Sequence, residues 1–457
     1  MGKFSNYRYL ELKDDVPSTQ THIRSRGIKQ PRRLKKVFIL LIVLALVITY
    51  LLGLFAGQSQ WLDSIAKTLG YQSEYHYAVI IDAGSSGSRV LAYKFRVPFT
   101  VFSQANLDLV QEHFEQSKPG LSSFADDPAK GAETIVQLIK KAEYLIPLEK
   151  RKSTPLIVRA TAGLRLLPAD RAEQLLAHVK KAISVLGYDV GPNSVDIMDG
   201  ADEGIYIWYT VNLLHNLIEG ETMAALDLGG GSTQITFQLA EGERARYPPR
   251  DLHVVPAGSN ITLYTHSYLG LGLLAARYGV LLQEAGGNDT GEFSSVCVEP
   301  IIKDEPWVYA NKQYRVSGAP RKPGTKRKAA FEACLEAVKQ YLDGALGGGG
   351  APGPRGSLAA MSFFYDVAAD AGIIDVARGG TGSVAQYSRA AQRACSAHNV
   401  EQPWACLDLV YVLALLHHAY RVPTEQPVYL FKKVNGHEVS WALGLAYSTV
   451  MNRITTK

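Results

Sequence analysis

Two short stretches of this chain follow the same pattern, and they constrain its fold more than any other feature. "DAGSSGSR" (82–89) follows the apolar run Tyr77–Ile81, and "DLGGGSTQ" (227–234) follows the apolar run Ala224–Leu226. In each copy an Asp ends a predicted buried strand, small residues form a turn, and a second apolar strand follows. This repetition predicts two similar lobes whose loops meet across a cleft.

Predicted strands alternate with predicted helices along the remaining chain, which indicates an α/β fold with largely buried sheets. The predicted strands are Ala78–Asp82, Val90–Phe95, Pro155–Thr161, Ser194–Met198, Met223–Leu228, Gln234–Leu239, Tyr264–Tyr268 and Val428–Lys432. The predicted helices are Lys130–Ile146, Ala169–Leu186, Glu203–Leu217, Leu269–Gln283, Thr325–Leu342, Ser388–Cys395 and the apolar core segment Leu407–Tyr420.

The N-terminus carries the basic excess of the chain. The formal charge is +5 at pH 7, and residues 1–36 hold ten Lys and Arg residues against three acidic ones. A basic excess confined to one tail argues against a nucleic-acid partner. The uncharged run 37–57 has the length of a transmembrane helix, and its basic flank places the N-terminus in the cytosol. We expect a single-pass type II membrane protein with a stalk at 58–75.

Two further features fit a compartment outside the cytosol. Asn260-Ile-Thr and Asn288-Asp-Thr are sequons for N-glycosylation. The four cysteines all follow the apolar run, and none lies in a C-x-x-C motif, so we expect disulfides rather than a metal cluster. Of the three possible pairings, closure of short loops favours Cys297–Cys334 with Cys395–Cys406.

The two repeated loops have the composition of a site for phosphate and metal. Glycines let backbone amides point into one concavity that binds anionic oxygens, and serines add small hydroxyl donors. The Asp at the strand end supplies a hard oxygen ligand suited to hydrated Mg²⁺ or Ca²⁺. One such loop alone would equally fit a tight turn with an Asx-type hydrogen bond. Two loops at comparable positions favour a phosphate chain held with its metal.

Two segments between these loops contain candidate catalytic groups. "RATAGLR" (159–165) follows a predicted strand, and "DGADE" (199–203) begins a predicted helix. A carboxylate in the first turn of a helix commonly compensates the helix dipole. Beside a phosphate site, however, Glu203 becomes a candidate general base for an attacking water, and the nearby negative charge would raise its pKa.

Five segments, in order, resemble the conserved motifs of the apyrase, or nucleoside triphosphate diphosphohydrolase, family, which belongs to the actin/Hsp70/sugar-kinase fold group. They are Val79–Tyr93, Arg159–Leu166, Asp199–Asn212, Ala225–Phe237 and His437–Tyr447. The similarity spans roughly residues 76–450, and Lys118–Pro128 is most similar to the plant branch. The resemblance implies two actin/Hsp70-like (RNase H-like) lobes, residues 76–199 with 432–457 and residues 200–431.

The resemblance also implies roles for individual residues. Glu203 matches the catalytic base, and Ser232 and Gln234 match the residues that position the water. Asp82 and Asp227 match the residues that hold the metal through its waters, with Thr161 and Trp441 close to that shell. The residues that match the phosphate-binding loops are Ser85, Ser86, Gly87, Arg89, Gly229, Gly230 and Gly231. Tyr365 matches an aromatic residue that stacks on the base.

We therefore expect a hydrolase that removes the terminal phosphate of nucleoside tri- or diphosphates with Ca²⁺ or Mg²⁺. The expected location is the Golgi membrane with a lumenal catalytic domain, and the cell surface is the second choice. Two alternatives stay open: a sugar kinase on the same fold, and a non-catalytic nucleotide-binding or assembly protein. The oligomeric state and the base preference are left open.

Overall fold

The computed structural model describes residues 32–55, 68, 74–84, 86–97, 107–218, 220–257, 259–310, 312–321, 327–347, 352–354 and 356–455. The chain divides into two compact units, Met1–Ala66 and Lys67–Lys457. Helix α1 (Arg32–Phe55) lies in the first unit. Over the described residues, no helix combines the length and the apolar character needed to cross a membrane. The membrane span predicted at 37–57 is therefore not confirmed, and most of the tail and stalk lies outside the described residues.

The second unit is built from strands that form two large sheets and two small ones. The strands are β1 (Tyr75–Ala83), β2 (Ser88–Arg96), β3 (Asp108–Ser117), β4 (Leu156–Ala160), β5 (Val195–Ile197), β6 (Ala224–Leu228), β7 (Ser232–Gln238), β8 (Leu252–Ala257), β9 (Ser259–Leu269), β10 (Glu292–Ser295), β11 (Glu305–Tyr309), β12 (Lys312–Gly318), β13 (Leu358–Ser362), β14 (Gly380–Gly382), β15 (Val428–Leu430), β16 (Lys433–Val434) and β17 (His437–Glu438).

The two large sheets share one strand order, as expected for two related lobes. The first sheet has the order β3-β2-β1-β4-β5, and the second contains β9-β7-β6-β13-β15 with β8 and β14 at its edges. In each sheet the first three of these strands are antiparallel and the next two are parallel to the central one. The repeated sequence is therefore a repeated structure, and the predicted α/β class is confirmed.

Helices cover the faces of both sheets. In the second unit they are α2 (Pro128–Ala142), α3 (Ala162–Arg165), α4 (Ala169–Ile183), α5 (Gly200–Leu214), α6 (Leu273–Glu284), α7 (Arg327–Leu346), α8 (Phe363–Asp370), α9 (Val384–Ala394), α10 (Ala405–Ala414) and α11 (Trp441–Thr455). The core between the sheets contains α5 and α11, with side chains from both sheets packed against them. Helix α5 is apolar around most of its circumference because it is buried on all sides.

Some predicted elements differ from the observed ones at their boundaries. The helix predicted from Leu269 begins only at Leu273, because β9 continues through Leu269 along its pairing with β7. Leu407–Tyr420 is a buried core helix as predicted, with a π-helical segment after α10. The edge strand β3, the central strand β13 and the small sheet β10-β12-β11 were not predicted. Both lobe boundaries stay predictions.

Candidate active site

Each repeat places its Asp in a β-hairpin directly opposite a polar residue of the next strand. Asp82 pairs with Arg89 across β1 and β2, and Asp227 pairs with Gln234 across β6 and β7. Both carboxylates are buried. Arg89 donates a hydrogen bond to Asp82 Oδ2 at 3.1 Å, whereas Asp82 Oδ1 and Asp227 Oδ1 are buried oxygens with no hydrogen-bond partner in the part of the chain that the structure describes. Two unpartnered carboxylate oxygens fit the predicted role of holding a hydrated cation.

Glu203 lies in the first turn of α5 and is held by two donors from different elements. Arg165, the last residue of α3, forms a buried ion pair with Glu203 Oε2. Gln234 Nε2 donates to the same oxygen at 3.0 Å. Glu203 Oε1 has no protein partner among the described residues, so one carboxylate oxygen is fixed while the other is available to a ligand or a water.

Gln234 links Glu203 to two serines. Its Nε2 lies 2.9 Å from Ser232 Oγ and 2.9 Å from Ser267 Oγ, and it therefore shares its protons among three acceptors. Because Ser232 accepts from Gln234, its own hydroxyl proton is available for another acceptor. The three predicted catalytic residues are thus brought together in one hydrogen-bonded cluster.

Small residues on α5 allow Glu203 to reach this cluster. A Cβ atom at Gly200 would lie 2.4 Å from Ser267 Oγ and 2.7 Å from Arg165 Nη1. A Cβ atom at Gly204 would lie 2.5 Å from Thr265 Oγ1. Helix α5 therefore packs directly against β9 at Gly200 and Gly204. Glu203 lies between these two glycines in the chain, so the close packing brings its carboxylate to the cluster.

The second glycine-rich loop is fixed by the start of α6. The backbone amide of Leu273 donates to Gly229 O at 2.9 Å, and the amide of Gly270 donates to Gly231 O at 2.8 Å. A Cβ atom at Gly272 would lie 2.4 Å from the Gly231 nitrogen. The carbonyl oxygens of Gly229 and Gly231 therefore accept hydrogen bonds from the protein. This arrangement suits a loop whose amides bind an anion.

The electrostatics of the site are dominated by burial of its three carboxylates. Burial raises the pKa of Glu203 to about 8; the Arg165 guanidinium opposes this rise, and Asp227 and Asp82 add to it. Burial also raises the pKa of Asp82, against the lowering effect of Arg89. The pKa of Asp227 is raised by burial, and a hydrogen bond from Ser362 opposes that rise. The three acids thus interact, and a bound cation would relieve their repulsion.

The remaining predicted site residues have different surroundings. Thr161 and Trp441 are buried, and the Thr161 amide donates to Ala83 O beside Asp82. In the first loop Gly87 is buried and Ser86 is half-buried, while Ser85 lies outside the described residues. Their predicted roles near the metal and the phosphates stay predictions.

Tyr365 does not have the surroundings expected of a stacking residue. It is only 4% exposed, it packs in the core beneath the second sheet, and its hydroxyl donates to Val376 O at 2.8 Å. The ring lies on the inner face of α8 because that helix follows β13 into the core. Sequence similarity alone could not reveal this orientation.

Two residues of the site were not predicted from the sequence. Arg165 ends the segment 159–165 that the sequence singles out. Its position one helical turn after the predicted site residue Thr161 was the available signal. Ser267 offered no signal, because its contact with Gln234 depends on the pairing of β7 with β9.

Both predicted disulfides are formed. Cys297–Cys334 and Cys395–Cys406 are bonded, and the sulfur atoms of Cys334, Cys395 and Cys406 lie within 4.8 Å of one another. The two bonds therefore lie side by side in the core cluster that includes residues of β6, β7 and β13. The two neighbouring histidines after α10 both contact protein groups. His418 pairs with Asp343 on α7, and His417 Nδ1 lies 3.3 Å from Val422 O.

A buried carboxylate with an available oxygen, two acidic strand ends and a glycine-rich loop fit the chemistry of phosphoanhydride hydrolysis. The family model for the GDA1/CD39 (nucleoside phosphatase) family matches residues 68–457. The chain belongs to this family, and it is a nucleoside phosphohydrolase, so neither alternative class is supported.

Known relatives agree with this assignment. The chain is 39% identical over 386 residues to ectonucleoside triphosphate diphosphohydrolase 5 of Bos taurus, covering 81% of this chain and 87% of the relative. It is 37% identical over 415 residues to nucleoside diphosphate phosphatase ENTPD5 of Homo sapiens, covering 87% and 91%. Its fold is similar to a crystal structure of nucleoside triphosphate hydrolases from Neospora caninum, with a TM-score of 0.58, 14% identity and coverage of 88% of this chain and 96% of that one.

Proposed function

We propose that the chain hydrolyses the terminal phosphoanhydride bond of nucleoside di- and triphosphates, with Glu203 as the general base. The observation that carries this proposal is the arrangement of the Glu203 carboxylate. Arg165 and Gln234 fix its Oε2, and Oε1 has no protein partner among the described residues. A base needs both features, because its orientation must be fixed while one oxygen accepts a proton.

One water can be held by three groups of this cluster. Glu203 Oε1 accepts one proton of the water, and the Ser232 hydroxyl donates to the water oxygen. Gln234 Oε1, a buried acceptor with no partner among the described groups, accepts the other proton. The water oxygen attacks the terminal phosphorus and forms a new P–O bond, while the bond to the bridging oxygen breaks. Glu203 takes the proton, and the products are inorganic phosphate and a nucleotide one phosphate shorter.

Asp82 and Asp227 would hold a divalent cation, Ca²⁺ or Mg²⁺, mostly through waters. The support is chemical: each has a buried oxygen with no partner, and hard cations prefer oxygen ligands. When bound, such a cation neutralises charge on the phosphoryl oxygens. The amides of Ser86, Gly87, Gly230 and Gly231 and the Ser86 hydroxyl would bind those oxygens, whereas the Gly229 amide donates to Ser232 O at 3.0 Å.

Nucleoside diphosphates are the favoured substrates. The human relative is named a nucleoside diphosphate phosphatase, and it shares 37% identity over 87% of this chain. The burial of Tyr365 offers no open ring for the base, so we expect weak discrimination among bases.

The proposed location is a compartment outside the cytosol, with the Golgi lumen first and the cell surface second. Both disulfides require oxidising conditions to form, and both sequon residues, Asn260 and Asn288, are exposed. The apolar segment 37–57 is the part of the sequence that would attach the chain to a membrane. Carbonate extraction of the full chain tests attachment, and endoglycosidase digestion tests exposure to the lumen.

The decisive experiment measures phosphate release from ADP, GDP, UDP and ATP by the full chain with Mg²⁺, Ca²⁺ or EDTA. We expect Glu203→Gln to lower kcat by about 10²- to 10⁴-fold, as for loss of a general base, with nucleotide binding retained. Glu173→Gln, an exposed glutamate on α4, is the matched control and should leave kcat unchanged. Near-normal turnover by Glu203→Gln would contradict the mechanism.

A further inference from the structure

Ser267 lies on β9 at the place where β7 and α5 meet. β9 is antiparallel to β7, and Ser267 is directly opposite Gln234 in that pairing. Side chains that are directly opposite in an antiparallel pair project from the same face of the sheet. Gln234 Nε2 donates to Ser267 Oγ at 2.9 Å. The serine therefore reaches the catalytic cluster from a strand that contributes none of the predicted catalytic residues.

The same serine limits how closely α5 approaches the sheet. A Cβ atom at Gly200, the first residue of α5, would lie 2.4 Å from both Cβ and Oγ of Ser267. Glu203 follows Gly200 by about one helical turn, so the two residues are neighbours on one face of the helix. Ser267 thus accepts a hydrogen bond from Gln234 and packs against the helical turn that carries Glu203.

The three acceptors of Gln234 Nε2 differ in what the proposed reaction does to them. Glu203 takes a proton from the water and becomes neutral, so its hydrogen bond from Gln234 loses the assistance of the charge. Ser232 donates to that water. Ser267 has no part in the proposed reaction, so its hydrogen bond from Gln234 stays the same while the proton moves. A contact that does not change is suited to hold the amide in one orientation.

We propose that Ser267 is a positioning residue whose hydroxyl holds the Gln234 amide, so that Gln234 Oε1 faces the attacking water during the reaction. The planar amide carries its nitrogen and its oxygen on opposite sides, so a fixed Nε2 also fixes the direction of Oε1. Oε1 is buried and has no partner over the described part of the chain, which leaves it available to the water. This inference rests on the proposed function, in which Oε1 accepts a proton of that water.

The experiment measures steady-state phosphate release from a nucleoside diphosphate by the full chain with Mg²⁺, together with the unfolding temperature. Ser267→Ala should lower kcat about 3- to 10-fold, the factor that corresponds to one neutral hydrogen bond, because the Gln234 amide is then held less firmly. KM should stay within about twofold, since Ser267 is not placed on the substrate. The unfolding temperature should change by no more than about 2 °C, because Nε2 keeps two other acceptors.

A second background separates the positioning of Gln234 from a displacement of α5. Gln234→Ala should lower kcat by more than Ser267→Ala does. Adding Ser267→Ala to it should change kcat by less than about twofold, because the side chain that Ser267 holds is gone. Gly200→Ala is the comparison for displacement: its new Cβ would push α5 away from Ser267, and its loss of kcat should be the same with and without Gln234.

Ser388→Ala is the matched control, because Ser388 Oγ also accepts from a glutamine amide, Gln392 Nε2 at 3.4 Å, on the exposed side of α9. It should leave kcat and KM unchanged. Normal kcat in Ser267→Ala, or an equal loss from Ser267→Ala with and without Gln234, would overturn the inference and leave the proposed function standing. Normal kcat in Gln234→Ala would instead overturn the role of Gln234 in the proposed function, and the inference with it.

Discussion

Substitution of Arg165 by Gln should change the pH dependence of hydrolysis in a predictable direction. Burial raises the pKa of Glu203 to about 8, and Arg165 opposes that rise by favouring the ionised form. A general base works only when ionised, so the rate increases with pH and levels off above its pKa. Without Arg165 the ionised form loses its partner, and the pKa of Glu203 rises further.

The magnitude follows from the contact. The Arg165–Glu203 pair is buried, and a hydrogen bond to a charged group contributes about 1.5–3 kcal/mol. One pKa unit corresponds to about 1.4 kcal/mol, so the pKa should rise by about one to two units. The pH profile of kcat/KM should then move about one to two pH units upward, with a fall of about 10- to 100-fold at pH values below the pKa of the unsubstituted protein and recovery above the pKa of the variant. A bound cation would lower the pKa in both proteins and move both profiles to lower pH, and the separation between the profiles is the predicted quantity.

The assay is phosphate release from a nucleoside diphosphate between pH 6 and pH 10, at saturating Ca²⁺. Arg165→Lys keeps the charge and should show a smaller shift. Arg171→Gln removes an arginine whose ion pair with Asp126 is exposed, and it should leave the profile unchanged. A loss of kcat/KM by the same factor at every pH would refute the reasoning, because Arg165 would then act on substrate binding and not on the protonation of Glu203.

Two further predictions concern a close backbone contact at the second glycine-rich loop and an ion pair between α6 and α10. In Gly272→Ala the new Cβ would lie 2.4 Å from the Gly231 and Ser232 nitrogens; displacement of that loop by about 1 Å should lower kcat about 100-fold, and activity within twofold of normal would contradict it. Asp408→Ala removes the buried carboxylate that pairs with the half-buried Arg277 at 2.7 Å and should cost about 3 kcal/mol in urea unfolding, the lower end of the range for breaking a buried ion pair. The double substitution Arg277→Met with Asp408→Leu should recover most of that loss, and equal loss in both variants would contradict the ion-pair explanation.

Much of the fold was predictable because it depends on local pattern. The central hairpins combine an apolar strand, an Asp and a glycine turn, and these features are visible within a few residues. The edge strand β3 was not predicted, because its sequence is largely polar and neither face of the strand has the apolar pattern of a buried one. The strand β13 was not predicted because its apolar run, Leu358–Ser362, continues directly into the apolar start of α8, and such a run does not distinguish a strand from a helix start.

The sequence by itself determined the repeated strand–Asp–glycine unit and Glu203 as the candidate base, and it favoured, among three possible pairings of the cysteines, the one that the structure contains. Each of these depends on residue type and spacing along the chain. Only the tertiary structure decided that Arg165 pairs with Glu203, that Tyr365 is buried, and that Gln234 contacts Ser267. Those facts depend on side-chain direction and on contacts between distant elements, where one residue's surroundings are set by helices and strands elsewhere in the chain.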